Sequence, residues 1–479
     1  MIQLKDGKDL AEYCVEYGRG LGASYVESRF EKKYAMGLAY RNGEPISGGM
    51  APSNGIGVRI LVDGNMGFAS FDGLEKETAH LAIDSAVKMA KSAKRKDPID
   101  LGEPVSNKAK WEVPVKESLL DIDLETLMAT ANDLNKEMEG LASYTMVLNP
   151  YVSEKYIVTS EGSEVEGLLS FLNIFTIMSA KGKVGTEQRY VNLTQTGGWE
   201  RIIDGKIVET LAREVVALKK TAEHAEKLDY LLDQPVDFIV GPEVAGIIAH
   251  ENVGHPSEGD RIMGREGAQA GESFWRDLKL GESRVGSEHV NVSEDPTIPF
   301  TGGFYLYDDE CVKSRNRVLI KDGIITEPLL NREFGVKFGM GTNASARSTG
   351  YNREPLIRMA NTFFEPGDFS FEELVEDVKL GIYMCSFNEW NIDDRRYQSK
   401  YTGSEAYVIK NGEITETMVK APVFETTSVG MLSAVDGVSK EKRLEFPATC
   451  GKSDPMQGIP VNAGGGQIRF RAIKLGGVG

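Results

Sequence analysis

The chain has 479 residues, with 55 lysines and arginines against 72 aspartates and glutamates, a formal charge of -17. That length exceeds one compact core and points to two domains of roughly 200 to 250 residues, while 41% hydrophobic and 27% charged residues exclude a disordered chain. The acidic balance without a Lys/Arg run argues against a nucleic-acid surface.

No apolar stretch approaches the roughly 18 to 20 residues of a membrane span, and the start MIQLKDGKDLAEY lacks a secretory apolar region, so no membrane partner and a cytoplasmic location are expected. Cys14, Cys311, Cys385 and Cys450 are scattered rather than spaced as a disulfide framework, and read as reduced thiols.

In chain order, Leu10, Cys14, Tyr17 and Leu21 form one stripe of a first helix, which places Cys14 in a core. Alternation through Tyr34, Met36, Leu38 and Tyr40, then Asn42-Gly43, then Ile56 to Val62 and Asp63-Gly64, reads as antiparallel strands joined by tight turns. Asp72, with Glu75 three residues on, is expected to open a helix carrying Leu74, Leu81, Ala82, Ala86 and Met89; Asp123 opens another with Leu124, Leu127, Met128, Ala131, Leu134 and Met138. Residues 144–195 are strand-like again, and a helix follows near 208–219.

The charged stretch 221–227 has little apolar periodicity and is the candidate boundary. The expected fold class is α+β: an N-terminal α/β domain of antiparallel strands and helices over 1–225, and a mainly antiparallel β domain over 226–479 with one or two helices.

Val236 to Val240 reads as a strand, Gly241-Pro242 as a turn into a helix, and Val244, Ile247 and Ile248 as its buried face. This helix carries His250, Glu251 and His255 in the order HENVGH. Zinc peptidases of the familiar pattern space two histidines four apart on one helical face. Five residues turn through about 500°, leaving the rings about 140° apart. The spacing therefore predicts a distorted helix, either a π-type turn or a helix end, with Gly254 relaxing the backbone and Pro256 pushing His255 out of helical geometry. Neutral imidazoles suit zinc, and Glu251 is placed to take a proton from the attacking water.

A third ligand is expected. Spacing leaves Glu258, Asp260, Asp308, Asp309, Glu310, His224, His289, Cys311, Cys385 and Cys450 open. Cys450 stands out because TCGKSDPMQGIPVNAGGG reads as an irregular glycine-rich loop that can aim a side chain, with Lys452 favouring its thiolate. Asp308, Asp309 and Glu310 read as a solvated turn or as support for other ligands; Cys311 and Cys385 read as structural.

The stretches GIGVRILVDGNMGFAS, GPEVAGIIAHENVGHPSEGD, FYLYDDE, IRMANTFFEPGD, GIYM, SEAYVIKNGEI and TCGKSDPMQGIPV, in that order, resemble the TldD/PmbA family of modulator-of-gyrase metallopeptidases over nearly the whole chain. The resemblance implies zinc held by His250, His255 and Cys450, with Glu251 as the motif glutamate. Intact HENVGH looks like the TldD-type catalytic subunit, expected as a homodimer or a heterodimer with a PmbA-like paralogue and enclosing its active site. Two stretches depart from relatives: CSFNEWNIDDRRYQ after GIYM, where glycines are common, and SDPM before Gln457. Both bear on substrate preference.

The expected activity is zinc-dependent hydrolysis of peptide bonds in unfolded peptides or small proteins, held by strand addition to a sheet edge. The alternatives are a non-catalytic zinc-stabilised peptide-binding subunit and a metal-assisted amidase on a small molecule.

Overall fold

The alternation of the first sixty residues becomes one very long strand, Tyr25–Arg41, that serves two neighbourhoods. In the computed structural model, which describes residues 4–267 and 271–478, its first part pairs with Ser53–Val62 and Tyr151–Thr159. Its second part pairs with Glu44–Met50 and Ser143–Leu148. The outcome is an eleven-stranded sheet whose strands all lie before residue 197. Asn42 and Gly43 take φ of 52° and 84°, and Asp63 and Gly64 of 48° and 73°. These left-handed pairs match the twist of a two-residue hairpin.

Helices Leu4–Gly20 and Lys76–Ser92 cover one part of the sheet, burying Leu10, Cys14, Ala79, Ile83 and Ala86 against Phe30, Ile56 and Val58. Helices Leu124–Glu137 and Ile207–His224 cover another, burying Leu127, Leu134, Leu211 and Leu218 with Met146 and Met178. The expected cap at Asp123 is present, its side chain accepting from the Thr126 N–H at 2.8 Å. The expected cap at Asp72 is not. Asp72 ends strand Asn65–Asp72 and accepts the Tyr351 hydroxyl, so the helix starts later, and Leu81 and Met89 are exposed while Ala79, Ile83 and Val87 are buried. The helix ending at His224 also takes in the first residues of the charged stretch.

All strands of the remaining sheets lie beyond residue 235. The expectation of one or two helices here is corrected to five α-helices of four to seven residues among the described residues. Pieces this short span too few turns to show periodicity, and several are announced only by caps: Asn331, Thr427, and Ser370 with Glu373 as a capping box. No helix among the described residues is long and apolar enough to cross a membrane.

Two six-stranded sheets carry this half. In one, Val236–Val240 lies between Leu380–Met384, parallel to it, and Ile468–Ile473, antiparallel. In the other, Gln457–Gly465 pairs with Asn361–Phe364 and with the outermost strand Arg443–Lys452. The expected irregular loop around Cys450 is therefore a hairpin arm: Cys450 sits on Arg443–Lys452 opposite Ile459, and only SDPM forms the turn. Cross-strand pairing thus aims the thiol, rather than loop freedom.

The two halves meet through apolar contacts of Trp111, Ile157 and Val165 with Phe304, Tyr305 and Cys311, and through buried ions. Arg59 reaches Glu27 at 2.6 Å and Glu310 at 2.9 Å, and Arg332 reaches Glu161 at 2.7 Å. From strand Gly185–Asn192, Arg189 donates to Glu243 at the start of the helix Pro242–Ile248 at 2.8 Å.

That helix lies directly on the Cys450 hairpin. A Cβ added at Gly246 would stand 2.7 Å from Phe446 Cβ and 2.9 Å from the Ala463 carbonyl carbon. Backbone cannot yield as a side-chain tip can, so Gly246→Ala is expected to destabilise the protein by about 1–3 kcal/mol, read as a lower denaturant midpoint. An unchanged midpoint would show that the helix is free to move off the sheet.

Candidate metal centre

The sequence leading to the histidines folds as its residues dictate. Gly241 closes the central strand in extended geometry, Pro242 occupies the first helical turn, and Val244, Ile247 and Ile248 are fully buried. The α-helix stops at Ile248 and continues as a π-helix over Ala249–Gly254, then as a 3-10 turn over His255–Ser257. The His255 N–H donates to the His250 carbonyl, a five-residue link that brings the two histidines onto one face. The distortion predicted from their spacing is present.

Its causes differ from those expected. Gly254 has ordinary helical angles, φ -59° and ψ -59°, and His255 is helical too, at φ -61° and ψ -43°. What Gly254 provides is room: a Cβ there would fall 2.0 Å from Met359 Sδ and 3.3 Å from Thr362 Oγ1. Pro256 acts by lacking an N–H to continue the ladder. Asn252 pins the widened turn from the side, donating to Ser399 Oγ at 3.0 Å and Ser428 Oγ at 2.8 Å and accepting the Tyr401 hydroxyl.

His250, His255 and Cys450 converge, all buried, with one donor atom from each lying within 4.8 Å of the others. The imidazole centroids are 4.9 Å apart and nearly perpendicular. Cys450 Sγ is 3.5 Å from His255 Nε2; zinc bond lengths of about 2.3 Å to sulfur and about 2.0 Å to nitrogen place two tetrahedral ligands about 3.6 Å apart. His250 Nδ1 is buried with no hydrogen-bond partner among the described residues. Two imidazoles, one of them with an unsatisfied ring nitrogen, and a thiol fit a zinc-like cation by donor type and by spacing.

Charges around the cluster prepare it. Burial opposes a thiolate, but His255, His250 and Arg358 together hold the Cys450 thiol well below its usual range. Burial likewise opposes an imidazolium at His255, and the charges of Cys450 and Glu258 outweigh it, raising its pKa. Glu258 Oε2 lies 2.9 Å from His255 Nδ1, leaving Nε2 toward Cys450. Despite burial, Lys452, His255 and Arg261 keep Glu258 well below the usual carboxylate range. The Arg358 guanidinium donates to the Cys450 carbonyl and, at 2.9 Å, to that of Gln457, fixing the hairpin arm.

Glu251, which follows His250 in the π-turn, is buried, and each of its oxygens accepts a hydrogen bond. Trp390 Nε1 donates to Oε1 at 3.1 Å and Arg396 Nη1 to Oε2 at 3.2 Å. Both donors come from the CSFNEWNIDDRRYQ stretch singled out in the sequence. Nothing in their spacing announces them, because they arrive on a separate three-stranded sheet.

The other candidate ligands lie elsewhere or act otherwise. His224 and His289 are exposed. Asp308, Asp309 and Glu310 are buried rather than solvated: Asp309 meets Lys155 at 3.2 Å and takes hydrogen bonds from Ser348, while Glu310 pairs with Arg59. Burial raises the Cys311 and Cys385 thiols well above their usual range, in keeping with structural roles. Lys452, expected beside the thiolate, instead reaches Asp260 at 2.8 Å and Glu258 at 3.3 Å.

Because Glu258 fixes the His255 ring and leaves Nε2 as the donor, Glu258→Gln is expected to lower zinc affinity about 10- to 100-fold, measured by chelator competition on protein with unchanged circular dichroism. Wild-type affinity in that variant would remove Glu258 from the account.

Residues 233–477 match the model of the PmbA/TldA metallopeptidase C-terminal domain, and residues 26–91 that of PmbA/TldA metallopeptidase domain 1. The chain is 33% identical to a metalloprotease of Methanocaldococcus jannaschii, covering 89% of this chain and 91% of that one. It is 27% identical to a zinc metalloprotease TldD homolog of Saccharolobus solfataricus, covering 95% and 97%. The fold is shared with the crystal structure of TldE from Thermococcus kodakarensis, with a TM-score of 0.72 at 17% identity over 98% of this chain and 100% of that one. The chain belongs to the PmbA/TldD metallopeptidase family.

Proposed function

We propose that the protein is a zinc-dependent peptidase that cuts unfolded peptides or small proteins, with His250, His255 and Cys450 as metal ligands and Glu251 as general base. The observation that carries this reading is the π-helical turn, which gathers two histidines five residues apart with a distant cysteine and carries the buried Glu251 directly after His250. A zinc ion there would supply a Lewis acid that polarises the scissile carbonyl and acidifies the attacking water.

The chain's own contribution is proton handling and orientation. Glu251 accepts the proton of the attacking water on a carboxylate oxygen and returns it to the leaving amine nitrogen as the C–N bond breaks. Glu258 keeps His255 oriented and its Nδ1 engaged, so only Nε2 is offered to the cation. Strand Arg443–Lys452 is the outermost of its sheet and carries Cys450 near its end. An extended peptide adding to that edge would be held by its backbone, which suits a broad preference for unfolded chains.

Free thiols at all four cysteines suit a cytoplasmic protein. Assembly as a homodimer, or with a PmbA-like paralogue, belongs to the same proposal.

Glu251→Gln is expected to retain bound zinc and to lose about 10²- to 10⁴-fold in kcat on an unstructured peptide, scored by mass spectrometry of the products. Full activity in that variant contradicts the assignment of the base. Failure of the wild-type protein to cut any member of an unstructured peptide library would favour an amidase acting on small molecules.

A further inference from the structure

Glu251 has three side-chain torsions, and a base that wanders loses rate even when its chemistry is intact. Here both of its oxygens are taken. Trp390 approaches from strand Phe387–Ile392 and Arg396 from the turn that leads into Gln398–Gly403. Each carboxylate oxygen has room for two hydrogen bonds, so one donor apiece fixes the group and still leaves a site for the proton of water.

The segment bearing these donors is itself held. Asp393 accepts the N–H groups of Tyr397 at 2.6 Å and Gln398 at 2.9 Å, closing the turn, and Arg396 adopts φ 60°. For a residue other than glycine that left-handed conformation needs support. It comes from Ser428, whose hydroxyl donates to the Arg396 carbonyl at 2.7 Å. Ser428 also accepts from Asn252, the residue next to Glu251 in the π-turn. At the other end, the Phe387 carbonyl accepts from Arg189 at 3.0 Å. The turn that carries the base and the turn that carries Arg396 are thus pinned to the same serine.

We infer that Trp390 and Arg396 are positioning residues for the hydrolytic step, acting through Glu251 by fixing the direction of its carboxylate. This rests on the reading of Glu251 as the base. Arg396→Ala is expected to lower kcat about 10- to 100-fold, with KM within about threefold of wild type and zinc content unchanged. Trp390→Phe keeps an aromatic ring while removing the Nε1–H donor, and lowers kcat by a smaller factor. Arg396→Lys recovers part of the loss. In a Glu251→Gln background, Arg396→Ala has no further effect on kcat, because there is no base left to orient.

A second readout does not depend on activity. The chain has four tryptophans, so incorporation of 5-fluorotryptophan gives four fluorine resonances, of which Trp390→Phe removes one. That resonance is expected to shift in both Glu251→Gln and Arg396→Ala, with or without zinc. An unmoved resonance, a kcat at or above wild type in Arg396→Ala, or a loss confined to KM would overturn the inference. If Glu251→Gln is inactive while Arg396→Ala and Trp390→Phe keep wild-type kcat, only the positioning role fails; if Glu251→Gln is fully active, the base assignment fails as well.

Discussion

Two histidines five residues apart cannot face one cation from a regular α-helix, and the surroundings of His250 and His255 are arranged around the widened turn that resolves this. A π-turn replaces standard hydrogen bonds with longer-range ones and is stable only where neighbours hold it. Here Met359 and Thr362 leave room for no side chain at Gly254, while Ser399, Ser428 and Tyr401 hold Asn252 from the side. The α-helix before the turn has a fixed origin, since it leaves the central strand Val236–Val240 and lies against the Cys450 hairpin. Helix and hairpin thus place the thiol and imidazoles together without a flexible loop.

The same arrangement explains how a site rich in charge is tolerated in a closed interior. Unpaired ions at this depth would be costly, yet Glu258 is shared among His255, Arg261 and Lys452, and Lys452 also reaches Asp260 and the Ile357 carbonyl. Removing any one member leaves the others uncompensated, so the network holds orientation more than it adds stability. Farther out, Arg59, Glu27, Glu310 and Arg332 tie the eleven-stranded sheet to the half that carries the donors, and Arg189 holds the start of the helix leading to them.

Much of this was legible in the sequence, for identifiable reasons. Hairpins announced by Asn42-Gly43 and Asp63-Gly64 depend on local turn chemistry, and the strand–Pro–helix entry at residues 236–248 depends on the Gly241-Pro242 turn; both read directly. The π-turn was legible because a spacing of five has few geometric solutions. The cause assigned to it was not, since Gly254 is required by Met359, which is more than a hundred residues away. Asp72 misled because its side chain is claimed by Tyr351. The acidic run 308–310 looked solvated because its partners Lys155, Arg29 and Arg59 come from the other half of the chain. Trp390 and Arg396 were invisible for the same reason: a contact made by a remote strand leaves no periodicity beside Glu251.

The central claim is that His250, His255 and Cys450 hold one metal ion together. X-ray absorption at the zinc edge of the zinc-loaded protein tests it most directly. The account predicts a single sulfur scatterer at about 2.3 Å and two imidazole nitrogens at about 2.0 Å, with the remaining position filled by a light atom. A spectrum without sulfur, or one with two or more sulfur ligands, would contradict it.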